Sequence, residues 1–294
     1  MNNKIRGIFC NVTGAVAWGF SGACGQKLMQ EFGFQSIQLT FLRMFFSGII
    51  LTLIVLLQRK PLGVVTKPKN LIRMIIFAIF GFILSQFAYM KTISLSNAGT
   101  ATVLQDLGPV FVMIYVCFCA RRLPSKTEFL TILLAFFGVV VIATHLNFGI
   151  LVLSPECLLW GILAAIGLLL YSILPKKLIE EYGAITVSGF GMLIGGIILG
   201  IFSKPWNMNV TFTPEVIFYV LVMIVLGTVV AYTFYLQGVQ DIGPVNASML
   251  ACIEPISASL FAHFWLGTEF IYIDLIGFAM ILSTVFILGF SKDK

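Results

Sequence analysis

Apolar runs of about 20 residues alternate along this chain with short segments that carry charges or turn residues. The run "LIRMIIFAIFGFILSQFAYM" has no strict alternation of polar and apolar positions, unlike the period-two segments of a membrane β-barrel. A helix of ~20 apolar residues crosses a ~30 Å hydrocarbon core. Ten such spans can be drawn, at 7–29, 36–57, 71–93, 98–119, 127–144, 156–175, 185–203, 215–236, 246–266 and 271–290. The breaks, among them "QRKPLGVVTKPKN", "ARRLPSK", "PKKLIEEYG", "SKPWNMN" and "QDIGP", carry turn and charge signals. The pattern predicts an all-α integral membrane protein with ten transmembrane helices.

Composition sharpens this. Hydrophobic residues make up 59% and charged residues 10% of the chain, against about a quarter charged in a soluble domain. The first span starts with Lys4 and Arg6 but runs past the usual length of a signal-peptide core, so it is retained as a helix. Alternate connections hold Lys4 and Arg6; Arg59, Lys60, Lys67, Lys69 and Arg73; Arg121, Arg122 and Lys126; Lys176 and Lys177; Lys292 and Lys294, which is most of the 18 basic residues. Short cytoplasmic loops are enriched in lysine and arginine. Both termini are therefore expected to be cytoplasmic, in a multi-pass protein of the cell (inner or plasma) membrane. The same asymmetry accounts for the +6 net charge without a nucleic-acid partner.

An internal repeat carries more information. "SGIIL" at 47–51 echoes "GGIIL" at 195–199, and on the same offset Ile37 matches Ile185 and Met44 matches Met192. Tyr89, Ala101, Leu104 and Pro109 match Tyr235, Ala247, Leu250 and Pro255, while "KLMQEFG" ending at Gly33 resembles "KLIEEYG" ending at Gly183. Each half, 1–146 and 147–294, then holds five spans. An odd number makes the second copy enter the membrane from the opposite face. Inverted repeats of this kind recur in secondary transporters, with the substrate site near the midplane between the repeats.

The order and spacing of "AVAWGFSG", "FLRMFFSG", "ATVLQDLGPVF" and "ASMLACIEPISASL…WLGTE" resemble the EamA branch of the drug/metabolite transporter superfamily. The resemblance spans essentially the whole chain. It implies two EamA-like five-helix repeats, cytoplasmic termini, and transport of small metabolites through a central cavity lined mainly by helices 1, 3, 4, 6, 8 and 9. The Glu-Pro of helix 9 fits the family's pattern; an acid at Asp106 in helix 4 departs from it.

Charges inside a span cost at least ~2.5 kcal/mol on insertion scales and normally face protein or water. Arg43, Asp106 and Glu254 are such charges. Asp106 precedes Pro109 by three residues and Glu254 directly precedes Pro255, so the two acids are read as pseudo-symmetric. Proline lacks the donor for the carbonyl four residues earlier, here Gln105 and Ala251, which marks a bend beside a cavity. Arg43 is expected to pair with an acid or to gate. Helical spacing adds Trp18 and Ser21 in helix 1, Gln86 and Tyr89 in helix 3, Tyr171 in helix 6, and Tyr232 and Tyr235, with Thr228, on one face of helix 8. With Gln105, Asp106 and Glu254 these form the expected substrate site.

The expected activity is secondary active transport by alternating access, as an exporter of amino acids or amines, with proton coupling as an option. No P-loop is present, which points to a gradient as the energy source. A facilitative carrier for purine- or carboxylate-type metabolites is the alternative reading. An intramembrane enzyme would need paired acids at metal spacing, and a channel rings of like residues; neither pattern appears. Six cysteines without a CxxC pair and two isolated histidines give no reason to expect a metal or cofactor. The expected partners are a small-molecule substrate and the bilayer, for a monomer or homodimer.

Overall fold

The computed structural model describes residues 3–147, 151–242, 247 and 250–291. They form α1 (Asn3–Gln30), α2 (Ser36–Leu57), α3 (Pro68–Leu95), α4 (Ala98–Cys119), α5 (Lys126–Thr144), α6 (Pro155–Ile173), α7 (Ala184–Ser203), α8 (Pro214–Ile242), α9 (Ile253–Phe264) and α10 (Tyr272–Ser291). Short helices at Gly63–Thr66 and Lys176–Tyr182 lie between spans. The turn before α9, the first residues of the expected ninth span, and Lys292 and Lys294 fall mostly outside the described residues. Helices α2 to α8 are each long and apolar enough to cross a membrane. The more polar α1 is buried along much of its length instead.

Local chemistry sets the ends. Ser154 and Thr213 cap α6 and α8, each followed by proline at the first helical position, where the missing N–H is no loss. Ser125 and Glu128 form a reciprocal capping box at the start of α5. The two glycines matched by the repeat, Gly33 and Gly183, both take positive φ, 72° and 81°.

Helix pairing shows the duplication directly. The pairs α1–α8 and α6–α3, α1–α9 and α6–α4, and α2–α8 and α7–α3 are exchange-related couples. Helices α2–α7, α4–α9 and α5–α10 pack on their own counterparts. Exchanging α1–α5 with α6–α10 leaves these pairs unchanged, whereas the α2–α3, α1–α4 and α4–α10 contacts have no counterpart of like extent among the described residues. The α2–α7 crossing brings backbones close together: a Cβ on Gly48 would meet Leu193 Cα at 2.6 Å, and one on the equivalent Gly196 would meet Phe45 Cα at 2.6 Å.

The core is continuous across the halves, with Leu39, Met44, Phe77, Phe82, Met192 and Met223 in one buried cluster. A second cluster joins α4, α5 and α10 through Val103, Val110, Ile142 and Ile281. Large apolar side chains cover the outside, such as Leu57 at 83% and Phe118 at 81% exposure. Such a surface is stable only against lipid.

Two pairs of helices depart from regular α geometry. Within α3, Phe77–Ile83 is π-helical, and within α8, Val222–Val230 is π-helical; the segments occupy equivalent places in the two repeats. Helix α4 is interrupted at Asp106 and Leu107, and α9 begins after a turn at Cys252.

Candidate functional site

The breaks in α4 and α9 follow from proline. Pro109 has no N–H for the Gln105 carbonyl, and Pro255 none for that of Ala251. Asp106 N–H still donates to Thr102 O at 3.0 Å, whereas Leu107 N–H reaches back only three residues, to Leu104 O at 3.2 Å. Asp106 thus ends one half-helix, while Glu254 lies in the first turn of another. The acids are not equivalent under the repeat. Counting by the offset that matches Pro109 with Pro255, Asp106 falls on Cys252 and Glu254 on Gly108. The expectation of symmetric acids is corrected accordingly, because they stand at different distances from their prolines.

The two carboxylates interact electrostatically with each other, and Glu254 also with Arg43. Among the described residues neither carboxylate lies within 4 Å of a cation, and Asp106 Oδ2 is buried with no hydrogen-bond partner. Arg43 is buried in α2 and engages α8. Its Nε donates to Thr228 Oγ1 and its Nη2 to Gly227 O, both at 3.1 Å. Ser47, one turn on, donates to Ile224 O at 3.3 Å. All three acceptors lie in the π-helical segment, where the ladder has lost its α register. Arg43 and Ser47 therefore clamp that segment against α2.

Aromatic side chains surround this group. Trp18 meets Tyr232 edge-on at 5.3 Å and Tyr235 at 5.4 Å. Tyr171 packs on Phe77 and Phe82, and its hydroxyl interacts with Tyr232 and Ser188. Tyr232 joins this cluster to the charges of Arg43 and Glu254. Tyr89 is buried, its hydroxyl hydrogen-bonded to Thr102 Oγ1 at 3.0 Å. Trp18, Gln86, Gln105, Asp106, Tyr171, Tyr232, Tyr235 and Glu254 stay partly accessible, although several touch helices of the other half. Ser21 is fully buried, against Gly227; its Oγ and Gln86 Oε1 have no partner among the described residues.

Sequence reasoning placed Thr228 and Tyr232 on one face. Thr228 is buried against Arg43, and Tyr232, partly accessible, also feels the Arg43 charge. That reasoning missed Thr102 and Ser188, small hydroxyl residues in apolar helices with nothing in their spacing to mark them. Among the described residues no group of three or more His, Cys, Asp or Glu could hold a metal ion.

The pattern of the EamA-like transporter family matches residues 5–144 and, a second time, 156–290. The chain belongs to that family. It is a multi-pass membrane transporter, not an enzyme. The "Uncharacterized inner membrane transporter YicL" of Salmonella typhimurium is 32% identical over all of this chain and 98% of its own length. The "Uncharacterized transporter YetK" of Bacillus subtilis is 22% identical, covering 99% of this chain and 89% of YetK. A solved crystal structure shares the fold with a TM-score of 0.64 at 15% identity, covering 98% of this chain and 99% of that one. In this EamA-like transporter, the charged group and the aromatic group draw on α1, α3, α4, α6, α8 and α9, with Arg43 added from α2.

Proposed function

We propose that this transporter is a secondary active carrier, working as an exporter of small metabolites that bear an amino group, such as amino acids or amines. Residues 1–146 and 147–294 would act as the two repeats that alternate around the site. The observation that carries this reading is the pair Asp106 and Glu254: two acids at helix breaks, without a cation within 4 Å among the described residues. A charge in such a place needs a partner. A substrate ammonium or a proton can serve, and competition between them for the same oxygens gives exchange transport.

Trp18, Tyr171, Tyr232 and Tyr235 would hold the organic part of the substrate, since aromatic faces attract cations and stack on flat groups. Tyr89, Gln86, Ser21 and Gln105 would supply polar contacts, and Arg43 would keep α8 in place and answer a substrate carboxylate. The basic loops support cytoplasmic termini, and the likeness to YicL supports an inner-membrane setting.

The test is flux in proteoliposomes with a panel of labelled amino acids, amines, purines and carboxylates, with and without a pH gradient. An amino-bearing substrate should move saturably, and the gradient should stimulate its flux. In Asp106→Asn the stimulation should fall to the level without a gradient. Flux confined to carboxylates or purines, or equal stimulation in the variant, would refute the assignment.

A further inference from the structure

Outside the site, four of the ion pairs among the described residues join the halves, and two of them, Arg6–Asp241 and Lys91–Glu156, link a first helix of one repeat to the other repeat at opposite ends of the bundle. At the end carrying the start of α1, Arg6 grips Asp241 at the end of α8: Nη2 to Oδ1 at 2.7 Å and Nε to Oδ2 at 2.8 Å. Gln237 Nε2 adds a bond to Asp241 Oδ1 at 3.1 Å, and the Asp241 side chain is only 4% exposed. Gly7 permits the approach, since a Cβ there would meet Asp241 Cβ at 2.6 Å. At the other end, Lys91 near the end of α3 meets Glu156 in the first turn of α6 at 3.3 Å.

The repeat relates the two pairs through one partner of each. The offset that matches Gly33 with Gly183 carries Arg6 onto Glu156. The helix pair α1–α8 becomes α6–α3 under the same exchange. The charges are reversed: cation on the first helix of one repeat, anion on the first helix of the other. The other partners stand one turn apart: on the offset that matches Tyr89 with Tyr235, Lys91 falls on Gln237, which itself bonds Asp241, and Asp241 falls on Leu95. The engagement differs as well. The first pair is two-pronged with a buried carboxylate; the second is a single contact between side chains 31% and 55% exposed. Beside Lys91 a pocket of about 420 Å³ opens between the ends of α1 and α3 and the start of α2, lined in part by Gln26, Met29, Phe34, Gln35, Ser36 and Phe87.

We propose that Arg6–Asp241 and Lys91–Glu156 are latches at comparable places in the two repeats, one for each mouth of the carrier, and that closing one accompanies release of the other. In this structure both pairs are in contact, the α1–α8 latch through two bonds and the α3–α6 latch through a single, more exposed one. The proposal rests on the alternating-access reading above and adds the residues that bias it.

The test uses the full-length protein with its six cysteines replaced and one reporter, Gln105→Cys, in right-side-out and inside-out vesicles. A membrane-impermeant maleimide measures the labelling rate from each face. Asp241→Asn should speed labelling from the face bearing the N-terminus and slow it from the other, each by about two- to fivefold, the range expected of a partly exposed ion pair. Glu156→Gln should do the reverse. The exchange Arg6→Asp with Asp241→Arg should restore the parent balance, which separates a latch from a folding defect. If both single variants move labelling in the same direction at both faces, or neither changes it by twofold, the latches are refuted. A reporter that reacts from neither face in any variant removes the cavity, and with it both this proposal and the transport site.

Discussion

Replacing Arg43 by methionine separates its two possible contributions, as a clamp on α8 and as a countercharge for Glu254. Methionine keeps the length and apolar stem but removes both donors. Hydrogen bonds to a charged group contribute about 1.5–3 kcal/mol each. Thr228 Oγ1 retains its own bond to Met223 O at 3.2 Å, so the loss concentrates on Gly227 O and is about 2–4 kcal/mol in total. For a large domain each kcal/mol moves the melting midpoint by about 2–4 °C, which predicts a fall on the order of 10 °C in detergent. The countercharge is bounded separately. With no ion pair between Arg43 and Glu254 inside 4 Å, their attraction stays below about 4 kcal/mol at an effective dielectric constant of ~20. If the clamp dominates, Glu254→Gln in the Arg43→Met background recovers little of the loss. Restoration of the parent midpoint by Glu254→Gln, or a fall under about 2 °C in the single variant, would refute the clamp.

Three further outcomes follow from the packing and the site. Gly48→Ala and Gly196→Ala each press a methyl onto the opposite backbone of one crossing and should cost about 1–3 kcal/mol; because one separation of α2 from α7 relieves both, the double variant should cost less than the sum, and strict additivity of the melting shifts would disprove the shared contact. Trp18→Ala removes the ring that meets Tyr232 and Tyr235; affinity for an ammonium-bearing substrate should fall about tenfold, near 1–2 kcal/mol, by calorimetry, and an unchanged constant would remove Trp18 from the site. At the Lys176–Tyr182 helix, the Tyr182 hydroxyl, then Lys67, hold the Glu181 carboxyl below its ordinary value. Its stabilising effect is therefore complete above the ordinary carboxylate range and fades as pH drops through the lowered value, so the melting difference between the parent and Glu181→Gln should shrink on acidification; a difference that grows would reverse the sign.

Much of the fold was legible because lipid imposes its own rule: each apolar run long enough to span had to be a helix. The breaks at Asp106 and before α9 were legible too, since Pro109 and Pro255 remove specific donors. The π-helical segments were not. Neither "FAIFGFI" nor "VMIVLGTVV" contains a proline, and the bulge in α8 is held by Arg43 and Ser47 from a helix about 180 residues away in sequence. The acids were legible as polar intruders, but their inequivalence required the repeat to be carried residue by residue through both breaks.

That comparison also indicates where a substrate belongs. The repeats agree where helices cross: Gly48 with Gly196, Gly33 with Gly183, Tyr89 with Tyr235. They disagree around the midplane, where Arg43 faces Gly191, Asp106 faces Cys252, Glu254 faces Gly108, Ser21 faces Tyr171 and Gln86 faces Tyr232 under the same offsets. The last two exchanges matter together. Tyr171 and Tyr232 interact through their hydroxyls, whereas their shorter counterparts Ser21 and Gln86 leave two buried oxygens unpartnered. Unpartnered buried oxygens are costly unless something fills the gap. A small molecule with a cationic end and a flat end cannot present the same group to two identical half-sites. Divergence at the proposed site, between repeats that agree at their helix crossings, is the arrangement such a substrate requires.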